Sequence, residues 1–354
     1  MQYGCIGEHL SHSFSKEIHA ALADYDYILK EIPQDALSAF MTVRDFRGIN
    51  VTIPYKQAVI PFLAEADDAA RAIGAVNTIV NRDGRLCGYN TDFGGMEALI
   101  RRSGIVMQGA KVLVLGTGGT SKTATAVAKH MGAAAVYTVS RSGRGGALTY
   151  EEALSAHADA DVLINATPCG MYGNSAGSMP IDPAAFSRLS GVVDAIYHPL
   201  RTPLVLQARK AGAAAVGGLY MLVMQAVLAS EIFTGKHCSR ETAEAVYRKI
   251  RLQKENIVLT GMPASGKTTV GRLLAEKLGR PFIDTDAEIV KAAGVDIPTI
   301  FKERGEAAFR DLETAVIKKA GAETGVVIAT GGGAVLREEN VDALRQNGQL
   351  LFLN

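Results

Sequence analysis

KVLVLGTGGTS, residues 111–121, decides the fold. Its first half is a continuous apolar run, the pattern of a central parallel strand buried on both faces, and its second half is a glycine-rich turn opening a helix that runs through His130. Amides at a positive helix end can receive a pyrophosphate, so Gly116, Thr117, Gly118, Gly119 and Thr120 are read as a dinucleotide turn. The third glycine of the usual spacing is replaced by Ser121. A purely structural turn is the competing reading, and the strand before and helix after favour the binding one. Downstream, a strand over 135–140, a helix near 150–157 and a strand over 162–165 complete a βαβαβ half of a doubly wound sheet. Where the second strand ends, an NAD enzyme offers a carboxylate to the ribose and an NADP enzyme offers cations to the 2′-phosphate. SRSGR, residues 140–144, offers Ser140, Arg141, Ser142 and Arg144 and no carboxylate, which favours NADP(H) over a merely solvated basic loop.

Strand-like and helical runs alternate along the rest of the chain, so the class is α/β with mainly parallel sheets. Upstream, strands are expected over 2–6, 25–32 and 48–51, with a helix near 15–23. Downstream, an amphipathic helix over 239–254 closes the region that holds the dinucleotide turn, and a new strand over 257–260 follows at once. At 354 residues the chain is long enough for two or three domains. Lys and Arg total 37 against 36 acidic residues, a balance that points to small-molecule ligands, not nucleic acid or membrane. Cys5, Cys87, Cys169 and Cys238 show no CxxC spacing and read as idle thiols of a reducing cytosol. The start, MQYGCIGEHL, lacks the pattern of a signal peptide, so a cytoplasmic enzyme is expected. Residues 219–233 are the most apolar stretch but carry Gln225 and Glu231 and fall short of the ~20 residues that span a bilayer, so they read as a buried helix.

Four polar clusters interrupt the apolar first block: SHSFS (11–15), NVTIPYK (50–56), GAVNT (74–78) and YNTD (89–92). Taken singly they are ambiguous. Ser13 and Ser15 could cap the following helix, and Asp92 could be the N-cap of the helix through Arg102. Together with NATPCGM (165–171), DAIYHPLRTPL (194–204) and GGLYMLVMQA (217–226), they make residues 1 to about 250 resemble shikimate dehydrogenase. The resemblance implies that Ser13, Ser15, Thr52, Asn77, Tyr197 and Gln225 hold shikimate or 3-dehydroshikimate, and that Lys56 and Asp92 are the catalytic pair, Asp92 also touching substrate. Reduction of a ketone by hydride from NADPH leaves an alkoxide that needs a proton, and a lysine ammonium steadied by a carboxylate can supply it. Ala195 and Gly218 resemble positions flanking the nicotinamide. Many family members have proline where this chain has Lys16, a departure that touches the local loop and not the chemistry.

GMPASGKT, residues 261–268, follows a short apolar strand and precedes a helical run, which satisfies the P-loop pattern. Amides of Ala264, Ser265 and Gly266 would cradle the β-phosphate with Thr269 close by, Lys267 would reach the β and γ oxygens, and Thr268 would ligate magnesium. With FIDTD (282–286), GEAAFRDLE (305–313) and VVIATGGG (326–333), this stretch resembles shikimate kinase. The resemblance implies ATP and Mg2+ as cofactors, shikimate contacts from Asp286, Arg310 and Gly332, and Asp284 beside the magnesium. Helix capping by Asp284 and Asp286, and a pair between Arg310 and Glu306, are the competing structural readings.

The implied domains are a substrate-binding domain over 1–92, an NADP-binding Rossmann domain over 93–217, helices over 218–252 returning to the first, and a partial kinase-like P-loop domain over 255–354. The implied function is reversible NADPH-dependent reduction of 3-dehydroshikimate to shikimate, fused to an ATP-dependent shikimate 3-kinase, on the route to chorismate and aromatic amino acids. Members of the kinase family continue past the strand here at 349–353 into a lid with arginines, so a fragment of a longer bifunctional protein, inactive as a kinase, is expected, with a decayed kinase part as the alternative. A quinate-oxidising variant and a non-catalytic metabolite sensor are the alternatives; Lys56 and Asp92 argue against the sensor. The oligomeric state is open, a homodimer among the options.

Overall fold

A computed structural model describes every residue except Ser11, His12 and Asn174, so two members of the SHSFS cluster lie outside the described residues. The strands form three sheets, and the chain divides into two compact units. The first comprises Met1–Cys169, Pro180–Tyr197 and Gln207–Ile250; the second comprises Gly170–Met179, His198–Leu206 and Arg251–Asn354.

In the first unit, β1 (Tyr3–Gly7), β2 (Tyr27–Glu31), β3 (Gly48–Val51), β4 (Glu65–Ala66), β5 (Thr78–Arg82) and β6 (Arg85–Tyr89) form a sheet ordered β2-β1-β3-β5-β6-β4. β1 runs parallel to β2 and β3, whereas β5 is antiparallel to both β3 and β6. The antiparallel part is a hairpin that the sequence reading did not anticipate. Asp83 and Gly84 at its tip have φ of 51° and 86°, the left-handed pair that a two-residue turn demands.

The second sheet is wholly parallel: β7 (Lys111–Leu115), β8 (Ala135–Val139), β9 (Val162–Asn165), β10 (Gly191–Asp194) and β11 (Ala214–Val216), ordered β11-β10-β9-β7-β8. Val112, Leu113, Val114 and Leu115 are all fully buried, as the apolar run requires of a strand covered on both faces. Met96, Leu99 and Ile100 of the helix Thr91–Ser103 and Tyr220 and Met221 of the helix Leu219–Thr234 join this sheet in one core. The two helices approach closely because Gly95 has no side chain: a Cβ there would lie 2.7 Å from the Met221 carbonyl oxygen and 3.1 Å from Gln225 Cβ. That contact sets Gln225 beside the first turns of the helix that carries Asp92. Among the described residues no helix is long and apolar enough to cross a membrane.

The second unit holds a four-stranded parallel sheet, β12 (Asn256–Gly261), β13 (Phe282–Asp284), β14 (Val327–Ala329) and β15 (Gly348–Leu353), ordered β13-β14-β12-β15. Val258, Ile317, Ile328 and Leu344 fill its core. Residues 198–206 complete the end of the helix Glu338–Asn347, whose last carbonyls have no partner within the helix. Arg201 donates from Nε to Arg345 O at 2.6 Å, from its backbone N to Gln346 O at 2.9 Å and from Nη2 to Gly348 O at 2.9 Å. Its Nη1 pairs with buried Glu255 at 2.8 Å. Fully buried Asn347 accepts from Leu200 N at 2.9 Å and donates to the Tyr172 hydroxyl at 3.2 Å.

Candidate active site

β1 and β3 are parallel, so the loops leaving their carboxyl ends emerge side by side, where α/β sheets hold ligands. The loop after β1 carries Ser13 and runs into the helix that Ser15 opens; the loop after β3 carries Thr52 and Lys56. Lys56 Nζ lies 2.5 Å from Asp92 Oδ2, a short charge-assisted bond between residues 36 apart in sequence. Both side chains are largely but not wholly buried, with relative exposures of 19% and 11%. Asp92 is not the helix cap. That position belongs to Asn90, whose Oδ1 accepts from Phe93 N at 3.2 Å. Asp92 therefore sits in the first turn, where the helix dipole favours its charge, with its carboxylate directed to Lys56.

Asn77 is anchored across the same helix start. Its Oδ1 accepts from Thr91 N at 2.7 Å, and its Nδ2 donates to Thr91 Oγ1 at 3.0 Å. Ser13 and Ser15 form one turn: Ser13 Oγ donates to Ser15 Oγ at 3.1 Å and accepts from Ser15 N at 3.3 Å. The N-cap residue of the helix Ser15–Leu22 is Phe14, with no side-chain cap, so neither serine is the cap residue. The Phe14 ring packs on Tyr197 with centroids 5.2 Å apart, which brings the chain after β10 to the serine turn. Burial pushes the Tyr197 hydroxyl up to about 12, so it stays a protonated donor at neutral pH. Gln225 is buried and donates to Leu222 O at 3.0 Å.

The dinucleotide turn has its expected setting. Gly116 takes φ 112°, and the helix Gly119–His130 begins after Gly118 with no side-chain cap, leaving its first amides for an anion. Ser121 explains the missing third glycine: it is buried, and its hydroxyl donates to Gly116 O at 2.6 Å, tying helix to turn. Ser140 Oγ accepts from Gly143 N at 3.1 Å and shapes the loop that carries Ser142 and the exposed Arg141 and Arg144. Gly218 is required by close approach, since a Cβ there would meet Ala195 O at 2.3 Å. These features fit a phosphorylated dinucleotide.

Comparison with known proteins agrees. Residues 5–79 match the family model of the shikimate dehydrogenase substrate binding domain. A shikimate dehydrogenase (NADP(+)) of Clostridium beijerinckii is 34% identical over 262 residues, covering 69% of this chain and 96% of the relative. The chain belongs to the shikimate dehydrogenase family. Another such relative, from Dehalococcoides mccartyi, is 38% identical, with 66% of this chain and 90% of the relative covered. Among solved structures, the shikimate 5-dehydrogenase of Thermus thermophilus in complex with NADP(H) and shikimate superposes with a TM-score of 0.63 at 28% identity, over 70% of this chain and 99% of that one. A chorismate mutase/shikimate 5-dehydrogenase fusion protein from Clostridium acetobutylicum gives 0.65 at 34% identity, over 70% of this chain and 96% of that one. The first part of the chain is thus an NADP-dependent oxidoreductase of the shikimate dehydrogenase family.

Residues 263–354 match the shikimate kinase family model, so this member of the dehydrogenase family also carries a kinase-like part. There Lys267 is buried, and its Nζ donates to Gly261 O at 2.9 Å and Met262 O at 2.7 Å. Thr268 Oγ1 donates to Asp284 Oδ2 at 2.8 Å, while Asp284 Oδ1 caps the helix Thr285–Ala293 by accepting from Asp286 N at 3.1 Å. Asp284 therefore caps with one oxygen and faces the P-loop with the other. Two hard oxygens so close suit magnesium, which keeps waters and takes few protein ligands. Asp286 faces Gly331, and burial, then the neighbouring Asp284 and Glu313, raise its carboxyl above the usual range. Arg310 meets Glu306 at 3.4 Å, but its closer partner is fully buried Glu313 at 2.9 Å, which the sequence reading missed although the i,i+3 spacing displayed it. Ala264 takes a left-handed φ of 64° within the P-loop, and a Cβ at Gly332 would meet Pro263 at 2.8 Å, so the glycine run lies directly against the loop.

Proposed function

We propose that Lys56 is the proton donor when the first part of the chain reduces 3-dehydroshikimate to shikimate, with Asp92 holding the ammonium in place. The carrying observation is the 2.5 Å Lys56–Asp92 pair at the carboxyl ends of β1 and β3. NADPH, when bound, supplies the hydride. Lys56 gives its proton to the carbonyl oxygen as negative charge develops there, and Asp92 keeps the lysine from turning to other acceptors. Ser13, Ser15 and Thr52 offer hydroxyls to the substrate, with Tyr197 donating from the chain after β10 and Gln225 adding an amide. Asn77 has one amide hydrogen left to donate after its bond to Thr91. Arg141, Arg144 and Ser142 select the 2′-phosphate, the turn Gly116–Thr120 takes the pyrophosphate, and Ala195 and Gly218 wall the nicotinamide.

In the kinase-like part, Ala264 to Thr269 hold the nucleotide phosphates, Thr268 and Asp284 the magnesium, and Asp286, Arg310 and Gly332 shikimate. The division into substrate, dinucleotide and kinase-like domains follows the three sheets, and a cytoplasmic setting accords with cysteines that form no disulfide among the described residues. The test follows NADPH absorbance with 3-dehydroshikimate for the full chain and for Asp92→Asn. Turnover by the parent chain that the variant lacks supports the pair, and an unchanged kcat in the variant overturns it.

A further inference from the structure

Asn77 can serve a substrate only if its amide points one way, and the molecule contains a device that fixes the direction. We infer that Tyr27 is a positioning residue for Asn77, acting through a buried chain of hydrogen bonds that runs by way of Asn50 and Thr78. This rests on the reading of Asn77 as a substrate contact.

The chain begins at Tyr27, buried on β2, whose hydroxyl donates to Asn50 Oδ1 at 2.6 Å. A tyrosine hydroxyl has one proton, and Asn50 Oδ1 receives it, so the Asn50 amide is turned with its Nδ2 away from the ring. Asn50 Nδ2 donates to Thr78 Oγ1 at 3.0 Å and to Asn77 O at 3.3 Å. Thr78, having accepted on its oxygen, directs its own proton onward, with Asn77 Oδ1 and Thr91 Oγ1 both at 3.2 Å. Asn77 Oδ1 is thereby an acceptor, shared with Thr91 N at 2.7 Å, and Nδ2 must be the donor. Flipping the Asn77 amide would set an NH2 against the Thr91 N–H and leave two buried donors facing each other. Each unsatisfied group of that kind would carry the full penalty of its lost hydration.

Tyr27 is itself held. Its ring stacks on fully buried His19, with centroids 3.9 Å apart and planes 8° from parallel, and His19 Nδ1 lies 2.6 Å from the Tyr25 hydroxyl. None of these residues belongs to the Lys56–Asp92 pair, and Tyr27, Asn50 and Thr78 are all buried.

The experiment is a double-mutant cycle on the full chain, Tyr27→Phe against Asn77→Ala, with KM for shikimate, KM for NADP+ and kcat read separately. Tyr27→Phe should raise KM for shikimate about tenfold, leave KM for NADP+ unchanged, and have no further effect once Asn77 is alanine. An equal rise in both backgrounds, or no rise in KM for shikimate, overturns the inference while leaving Asn77 a ligand. If Asn77→Ala alone leaves KM for shikimate unchanged, the reading of Asn77 itself fails, and the inference with it. Thr78→Val interrupts the same chain without touching the tyrosine. Should Tyr27→Phe not fold, Thr78→Val must show the same selective rise, and its absence counts against the inference equally.

Discussion

Each unit holds a lysine assigned to an anionic centre, but the partners differ. Lys56 is held by a carboxylate from a distant element, whereas Lys267 is held by two carbonyls of its own loop. Around Lys267 the pattern repeats: Thr268 is bonded to Asp284, and Arg310 to Glu313 and Glu306. In the first unit the charged pair joins elements far apart in sequence. In the second, groups assigned to ligands bond within the P-loop and to the turns and helix that follow it. The first arrangement is set by tertiary packing, the second mainly by the local course of the chain.

The strongest break of that comparison is at Lys56. Lys56→Ala should lower kcat about 100-fold or more, within the range for general acid–base groups, with a much smaller change in KM. Steady-state kinetics decides it, and near-normal kcat with a raised KM would make Lys56 a binding residue only.

Next in size is Arg201, the cap that residues 198–206 give to the second unit. Arg201→Ala removes the side-chain bonds to the Arg345 and Gly348 carbonyls and one of the two arginine partners of buried Glu255, the other being Arg251 at 3.2 Å. A loss of roughly 2 kcal/mol is expected, less than for a wholly unpaired buried charge because Arg251 remains. The backbone bond to Gln346 survives the change. Denaturant unfolding, followed by hydrogen exchange in β12 and β14, should show the loss in the second unit. Unaltered protection there would mean that the cap is decorative.

These two cases also separate what the sequence displays from what it hides. Two buried strands, 48–51 and 162–165, were legible to the residue, and the others that the sequence offered, such as 2–6 and 257–260, to within a residue or two, because apolar runs bounded by turns have few other readings. The polar clusters were legible as a set. The hairpin at Asp83 and Gly84 carried its own turn signal and was passed over. The cap at Asn90 in place of Asp92 was local and also passed over. What could not be read was pairing at long range: that Asn50 and Thr78 orient Asn77, and that residues 170–179 and 198–206 group with a sheet beginning at Asn256. Spacing along a chain does not specify a partner 144 residues away, as Arg345 is from Arg201.

The dinucleotide loop offers a smaller effect. Arg141 and Arg144 are exposed, so their bonds to a 2′-phosphate are partly screened, and a preference for NADPH over NADH just above tenfold in kcat/KM is expected. Arg141→Asp should narrow or reverse it. Equal kcat/KM for the two cofactors in the parent chain would remove the loop from the specificity account.

The smallest effect tests whether the packing of the first unit carries a cost of its own. His19 is fully buried, and burial lowers its pKa to about 3, while the unfolded chain takes up a proton near the ordinary value of ~6.5. The unfolded state therefore binds more protons in that window, and stability must fall as pH drops from about 6.5 toward 3. Between pH 7 and 5.5 the loss from this one group is on the order of 1 kcal/mol, approaching the limiting slope of about 1.4 kcal/mol per pH unit. The second unit has a single histidine, His198, and it is only half-buried, unlike His19. Hydrogen exchange corrected for intrinsic rates should show protection in β1 and β3 declining across this range while β12 and β14 hold. His19→Gln should flatten the decline even if it lowers stability at neutral pH, because glutamine has no proton to take up. Parallel behaviour of the two units, or an unflattened decline in the variant, would show that another group governs the acid response of the first.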